Sequence, residues 1–197
     1  MSIDPSATFT LADRQAQHAA AVRVKKLFGA ESKLMERIVE LRANLTEAGT
    51  GLAKDSPLTR SLVEFDAKVD AVRKRIVATT EGGAITGEER LREHTDHLYG
   101  ALLTYEGKPT AYQQDNIIAL EAEFTRIQRD FEALTDQNLA RLNRKLTGAK
   151  ITPIEMKSDG DEEDDADESS ANPHAGKADA DALMERQRIP VDFRPLH

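Results

Sequence analysis

Cysteine and tryptophan are absent from this chain of 197 residues, and aromatic residues make up only 5% of it. Without cysteine there is no disulfide framework, no thiolate metal site and no thiol nucleophile. The sequence also lacks an apolar run of the roughly 20 residues that a membrane-spanning helix needs. The first ten residues carry neither the basic nor the apolar part of a secretory signal. We therefore predict a soluble protein without a membrane span. The sequence does not indicate its cellular compartment.

Most of the chain carries no excess of charge of either sign. Residues 1–150 hold 22 basic and 22 acidic residues, whereas residues 151–197 hold 5 basic and 13 acidic ones, so the whole net charge of -8 lies in the tail. A nucleic-acid-binding protein needs a clustered excess of basic charge. The balance therefore predicts no nucleic-acid partner.

What the sequence does contain is a repeated spacing of apolar residues by three and four positions. Such a spacing averages 3.5 residues and keeps one stripe of a helix facing another helix. Glu31 is the one charged residue in these stripes. They run through Ala20, Val24, Leu27, Glu31, Leu34, Ile38, Leu41 and Leu45, then Leu58, Leu62, Phe65, Val69, Val72 and Ile76, and finally Ile117, Leu120, Phe124, Ile127, Phe131 and Leu134.

Capping residues and glycines divide the chain into four helices. Thr10 and Asp13 predict the start of a helix over about 11–48, and Ser56 before Pro57 predicts a second one to about Thr80. The pair Thr86 and Glu89 predicts a third helix, and Thr110 a fourth over about 111–146. Sequential helices joined by short loops pack as antiparallel neighbours. The fold class is therefore all-α, an elongated antiparallel helical bundle or coiled coil.

Two positions interrupt these patterns. Gly29 lies inside the first helix and predicts the close approach of a neighbouring helix, or else a kink. After Leu134 the apolar residues fall at Leu139, Leu142 and Leu146, a phase shift that resembles a stutter. Asn138 near this shift is either an exposed polar residue or a register-setting one.

After the bundle the composition changes. Residues 159–168 contain eight acids, and the small polar residues after them cannot bury enough apolar surface to order themselves. Apolar residues then return as Leu183, Met184, Ile189, Val191, Phe193 and Leu196. We predict an extended lead-in over 1–10, a bundle over 11–148, a disordered acidic linker over 149–182 and a short apolar segment over 183–197. These six apolar residues are our candidate interaction residues, which either dock on another molecule or fold back on the bundle.

No group of residues predicts catalysis, a cofactor site or a metal site. His94 and His97 lie one turn apart, but the Glu-x-x-His pairs of a di-iron bundle are missing. In residues 159–168 an EF-hand would need glycine where Asp164 stands. His18 has no partner visible in the sequence.

The segments Ile3-Asp4-Pro5, Leu11-Ala12-Asp13 and Glu40-Leu41-Arg42 resemble a known helical region. It is the C-terminal region of bacterial sortilin-like (VPS10-type) proteins with BNR repeats, often labelled glycosyl-hydrolase-like. Leu98–Leu102 and the stretch from Pro109 to Gln113 fit the same region, so the resemblance covers about residues 3–150. The propeller of those proteins is absent from this sequence, so no functional residue carries over. The resemblance implies a helical accessory region that packs against a partner or against its own kind. It also implies that this chain is either a fragment or a stand-alone relative of a larger exported protein.

The sequence therefore predicts a non-enzymatic helical scaffold or protein-interaction module, with a protein partner or self-association. Two alternatives stay open. One is a metal-binding bundle that uses His94 and His97, and the other is a chaperone whose acidic tail binds a basic partner.

Overall fold

A computed structural model describes residues 9–79, 88–104 and 107–156 of the chain. Four α-helices occupy most of these residues, and no strand occurs among them. They are α1 (Leu11–Ala48), α2 (Pro57–Ile76), α3 (Leu91–Thr104) and α4 (Ala111–Gly148). The predicted all-α bundle of four helices is confirmed. None of the helices is both long and apolar enough to cross a membrane within the described part of the chain.

The helices α2 and α3 follow one another along the two long helices. In α2, Arg75 reaches Asp130 of α4, and Ser61 accepts a hydrogen bond of 2.8 Å from Lys145. In α3, Leu98 and Ala101 lie beside the first turns of α4. A cross-section of the bundle therefore cuts three helices, with α1 and α4 parallel to each other and antiparallel to α2 and α3. The prediction that successive helices pack antiparallel holds at two connections and is wrong between α2 and α3.

Capping explains where three of the helices begin. Thr10 and Asp13 form a reciprocal capping box at α1, and Thr110 forms one with Gln113 at α4. Ser56 accepts a hydrogen bond of 3.0 Å from the backbone amide of Thr59 at the start of α2. Each box satisfies two of the backbone amides that a helix start leaves unpaired. These three starts were predicted correctly.

The predicted limits of α2 and α3 need correction. Helix α2 ends at Ile76 because Val77 takes an extended conformation, with φ -124° and ψ 143°. Helix α3 begins at Leu91, where the Glu93 carboxylate accepts a hydrogen bond of 2.9 Å from the Arg90 amide. The predicted cap at Thr86 lies outside the described residues.

The predicted stripes form one core. Every stripe residue of α1, including Glu31, is buried, and so are those of α2 except the half-buried Leu58. In α4 the buried positions continue through Thr135 to Leu142 and Leu146, whereas Leu134 and Leu139 are half-buried. Asn138 is half-buried too and donates a hydrogen bond of 2.8 Å to the Leu134 carbonyl. Polar residues thus fill the stripe where the sequence suggested a phase shift.

The surroundings of Gly29 differ from those that its position in the sequence predicted. A Cβ atom built on Gly29 would meet nothing within 4 Å, and α1 runs through this residue without interruption. Gly29 therefore faces open space, and the prediction of a close helix contact is wrong. The kink stays a prediction.

The described contacts of the bundle extend past the predicted limit at residue 148. The side-chain amide of Asn143 donates to the Ile154 carbonyl at 2.8 Å and accepts from the Ile154 amide at 2.9 Å. The Ile154 side chain is buried, and Ile151 and Met156 pack against the core. The other residues of the predicted linker and the whole predicted C-terminal segment, 157–197, lie outside the described residues.

Candidate functional site

A groove of about 500 Å³ lies between α3 and the N-terminal half of α4. Its volume falls in the range of binding sites for small molecules and peptides. Helix α3 contributes His94, His97 and Ala101 on one face, at the spacing of three and four residues that shares a side of a helix. Helix α4 contributes a second row, which consists of Tyr112, Gln113, Asn116, Ala119 and Leu120.

The capping box at Thr110 positions the α4 side of the groove. The Gln113 side-chain oxygen accepts from the Thr110 amide at 2.9 Å and from its hydroxyl at 3.2 Å. This pairing leaves the Gln113 amide nitrogen available to donate to a bound molecule. Tyr112 is 74% exposed beside it. The local cap therefore gives this end of the groove a fixed polar rim.

Small side chains alternate with polar ones along the groove. Ala101 and Ala119 project only a methyl group, so the backbone of a ligand can come close to both helices. Asn116 carries one amide that can donate and accept, and the two histidines supply further ring nitrogens. The groove thus combines open space with groups that match the hydrogen bonds of a peptide backbone.

The two histidines share one carboxylate neighbour. The Nδ1 atom of His94 lies 3.4 Å from Glu89, and the Nδ1 atom of His97 lies 3.9 Å from the other oxygen of the same carboxylate. Both imidazoles are more than half exposed. Across residues 9–79, 88–104 and 107–156, no group of three or more His, Asp or Glu is arranged to hold a metal ion.

A second feature lies in the core, where Glu31 of α1 meets Thr95 of α3. Both residues are fully buried, and the Thr95 hydroxyl lies 2.8 Å from a Glu31 oxygen and 2.9 Å from the Leu91 carbonyl. The other carboxylate oxygen of Glu31 accepts no hydrogen bond from the described residues. Burial raises the pKa of Glu31 to about 7, although the Thr95 hydroxyl and the charge of Arg92 act in the opposite direction. Glu93 and Glu123 raise this pKa further.

The Thr95 hydroxyl offsets only part of the cost of burying the Glu31 carboxylate. The Thr95 hydroxyl has a single hydrogen, so it can donate fully to only one of its two acceptors. When Glu31 is protonated, it can donate to the Thr95 oxygen while Thr95 donates to the Leu91 carbonyl. Burial therefore outweighs the hydrogen bond from Thr95, and the pKa of Glu31 stays raised.

The structure separates the residues that the sequence singled out. His94 and His97 line the groove, whereas His18 is exposed on α1. The six candidate interaction residues between Leu183 and Leu196 lie outside the described residues. Sequence reasoning missed the groove residues of α4, because Tyr112, Asn116 and Ala119 are polar or small residues on the solvent side of a stripe. For the buried carboxyl group, the signal in the sequence was the charge of Glu31 within an otherwise apolar stripe.

Comparisons with known proteins give no match that bears on this groove. The chain matches no protein-family model, and neither the curated proteins nor the solved structures yield a significant match. The resemblance to sortilin-like proteins therefore stays a prediction.

Proposed function

We propose that this protein is a non-enzymatic interaction module that binds an extended segment of a protein partner in the groove between α3 and α4. The observation that carries the proposal is the row of small and amide side chains along an open groove of about 500 Å³. A peptide brings backbone donors and acceptors that need partners once they leave water. Asn116 and Gln113 offer such partners without requiring a charged ligand.

The exposed Tyr112 ring supports the same proposal. Aromatic side chains provide a large contact area at low cost in conformational entropy and are enriched at protein interfaces. Tyr112 stands at the end of the groove with 74% of its surface exposed. A partner side chain packed against this ring would bury it together with the neighbouring Ala101 and Ala119 methyl groups.

Site-specific photocrosslinking tests this function. A benzoylphenylalanine at position 112 should crosslink a discrete protein partner in cells, whereas the same group at the exposed Val63 of α2 should not. The crosslinked segment is then synthesised, and its affinity for the purified protein is measured by titration calorimetry. Ala119→Trp fills the groove and should weaken binding at least tenfold.

The matched control is Ala140→Trp, which adds the same side chain at an exposed position of α4 outside the groove lining. It should leave the affinity unchanged. Equal binding by Ala119→Trp and the unmodified protein would contradict the proposal. Stoichiometric zinc in the purified protein, lost in His94→Ala/His97→Ala, would instead favour the metal-binding alternative.

A further inference from the structure

A small pocket lies between α2 and the C-terminal half of α4, away from the groove between α3 and α4. Its volume of about 90 Å³ is well below the roughly 300–1,000 Å³ of sites for drug-sized ligands. Phe65 and Leu142, both buried, line it on the core side, and polar side chains of the two helices complete the lining. The pocket can therefore hold one small group.

Three cations from two helices line this pocket. Lys68 belongs to α2, and Arg141 and Lys145 belong to α4. None of the three makes an ion pair with any residue in the described part of the chain. Among the described residues that line the pocket, Glu64 is the only acid. The lining therefore carries an excess of two positive charges, which repel one another unless an anion lies between them.

Hydrogen bonds within the bundle hold one of these cations at the pocket. The Ser61 hydroxyl donates to the Pro57 carbonyl at 2.9 Å and accepts from the Lys145 ammonium group at 2.8 Å. An ammonium group carries three hydrogens, so Lys145 keeps two for a ligand. The position of this charge therefore follows from the backbone of α2 and not from a flexible side chain alone.

Asn138 adds a neutral donor that is held in the same way. Its side-chain nitrogen donates one hydrogen to the Leu134 carbonyl at 2.8 Å, and the residue is half-buried in the pocket lining. The nitrogen carries a second hydrogen that this bond does not use. The pocket thus combines a fixed amide donor with charged donors from two helices.

We propose that this pocket binds a phosphate group, either as the free ion or as a small monoester. A phosphate monoester carries a charge of about −1.5 to −2 at pH 7, which matches the excess charge of the lining. Its oxygens accept hydrogen bonds from arginine, lysine and amide groups, and these are the donors that the pocket offers. The guanidinium group of Arg141 can bind two of the oxygens at once.

The lysines of α1 are the competing surface for a phosphate group. Lys25, Lys26 and Lys33 are exposed and likewise make no ion pair within the described part of the chain. They lie along a single helix, where Lys25 and Lys33 are about 12 Å apart because eight residues separate them. The cations of the pocket instead surround one concave space. One phosphate group can therefore contact several of them together.

Titration of the purified protein with inorganic phosphate at constant ionic strength tests the proposal. We expect saturable binding by calorimetry, with changes in the amide resonances of α2 and α4 that are confined to the pocket. Lys68→Gln/Arg141→Gln/Lys145→Gln should weaken binding about tenfold or more, because it removes the charge-assisted hydrogen bonds. Equal affinity in this variant and the unmodified protein would overturn the proposal.

Two single variants change the pocket in opposite directions. Glu64→Gln should strengthen binding, because it removes the acid from the lining. Ser61→Ala should weaken it, because Lys145 loses the partner that holds its ammonium group, and Ser61→Thr should restore it. Weaker binding by Glu64→Gln would contradict the proposed role of charge.

The matched control is Lys25→Gln/Lys26→Gln/Lys33→Gln, which removes the same charge from exposed positions of α1. It should bind phosphate as the unmodified protein does, and thermal melts check that both triple variants fold. Equal weakening in both triple variants would show attraction by net charge alone and would overturn the proposal.

O-phosphoserine distinguishes the two sources of the phosphate group. If it binds about as tightly as inorganic phosphate, the pocket accepts the phosphate of a larger molecule. If inorganic phosphate alone binds, the ligand is the free ion. Failure of both probes to bind would overturn the proposal and would leave the peptide groove between α3 and α4 untouched, since the two sites share no lining residue.

Discussion

At the scale of single residues, Glu31 is the position where the chain departs most from a simple apolar core. A buried carboxyl group costs free energy unless it is neutral or well paired. Here one oxygen has a partner, Thr95, and the other has none in the described structure. The residue therefore makes the stability of the bundle depend on pH.

The expected direction follows from the raised pKa of Glu31, about 7 against an ordinary value of 4.5. The folded protein holds this proton more tightly than the unfolded chain, so the stabilisation is fully present below about pH 4.5. It is lost as the pH rises through 7. Denaturant unfolding at pH 5 and pH 8 should show a fall on the order of 2 kcal/mol from this residue.

Glu31→Gln keeps the shape of the side chain and removes the titration, so its stability should stay flatter over the same pH range. Thr95→Val should move the loss to higher pH, because the hydrogen bond from Thr95 lowers the pKa of Glu31. An unchanged pH profile in Glu31→Gln would show that other groups set it.

Gly29 in α1 and Gly51 in the turn after α1 should respond in opposite ways to substitution by alanine. Gly29 sits in helical geometry with open space around it, so Gly29→Ala should stabilise the protein by about 1 kcal/mol. Gly51 has a φ of 80°, a conformation that strains other residues, so Gly51→Ala should destabilise it. Thermal melts of both variants check the pair, and stabilisation by Gly51→Ala would contradict the structure.

At the scale of elements, the segment after α4 acts as an additional piece of the bundle. Asn143 makes two hydrogen bonds to the backbone of Ile154, and the Ile154 side chain closes over the core. Asn143→Ala removes both bonds at once. We expect it to destabilise the protein by about 1–2 kcal/mol in chemical denaturation, because buried backbone groups then lose their partner.

Two shortened chains isolate this segment directly. One ends after residue 156 and the other after residue 150, so the difference between them reports on residues 151–156 alone. We expect the shorter chain to melt at the lower temperature, because it lacks the buried Ile154. Equal melting temperatures would show that the segment adds nothing to the bundle.

Helix limits show which elements a sequence specifies locally. The starts of α1, α2 and α4 follow from Thr10, Ser56 and Thr110, whose side chains satisfy the first backbone amides. The start of α3 does not, because Arg90 offers no capping oxygen and the carboxylate of Glu93 reaches back instead. Likewise, Val77 ends α2 by turning extended, without the glycine that usually signals a helix end.

At the scale of the whole molecule, the apolar spacing predicted which residues form the core. It did not predict that α2 and α3 lie end to end along the two long helices. The apolar stripe of α2 and the buried residues of α3, which are Leu91, Thr95, Leu98 and Leu102, would look the same whether the two helices lay side by side or end to end. The groove depends on that order, since it exists only where α3 lies beside the first turns of α4. Tyr112 and Asn116 lie outside the apolar stripe of α4, so the sequence alone indicated His94 and His97 and left these two residues unnoticed.

Because α2 and α3 lie end to end, the two halves of the bundle should lose stability at different pH. The half of the bundle that contains α3 also contains Glu31, whose contribution to the stability is lost as the pH rises. The α2 half contains Asp70, whose pKa is lowered to about 2 by Lys74 and Arg73, with a smaller effect of Arg42. Its contribution is present above an ordinary value of 3.8 and is lost as the pH falls through 2. Amide exchange should therefore quicken first around α3 in alkali and around α2 in strong acid, so that the two halves weaken at opposite ends of the pH scale.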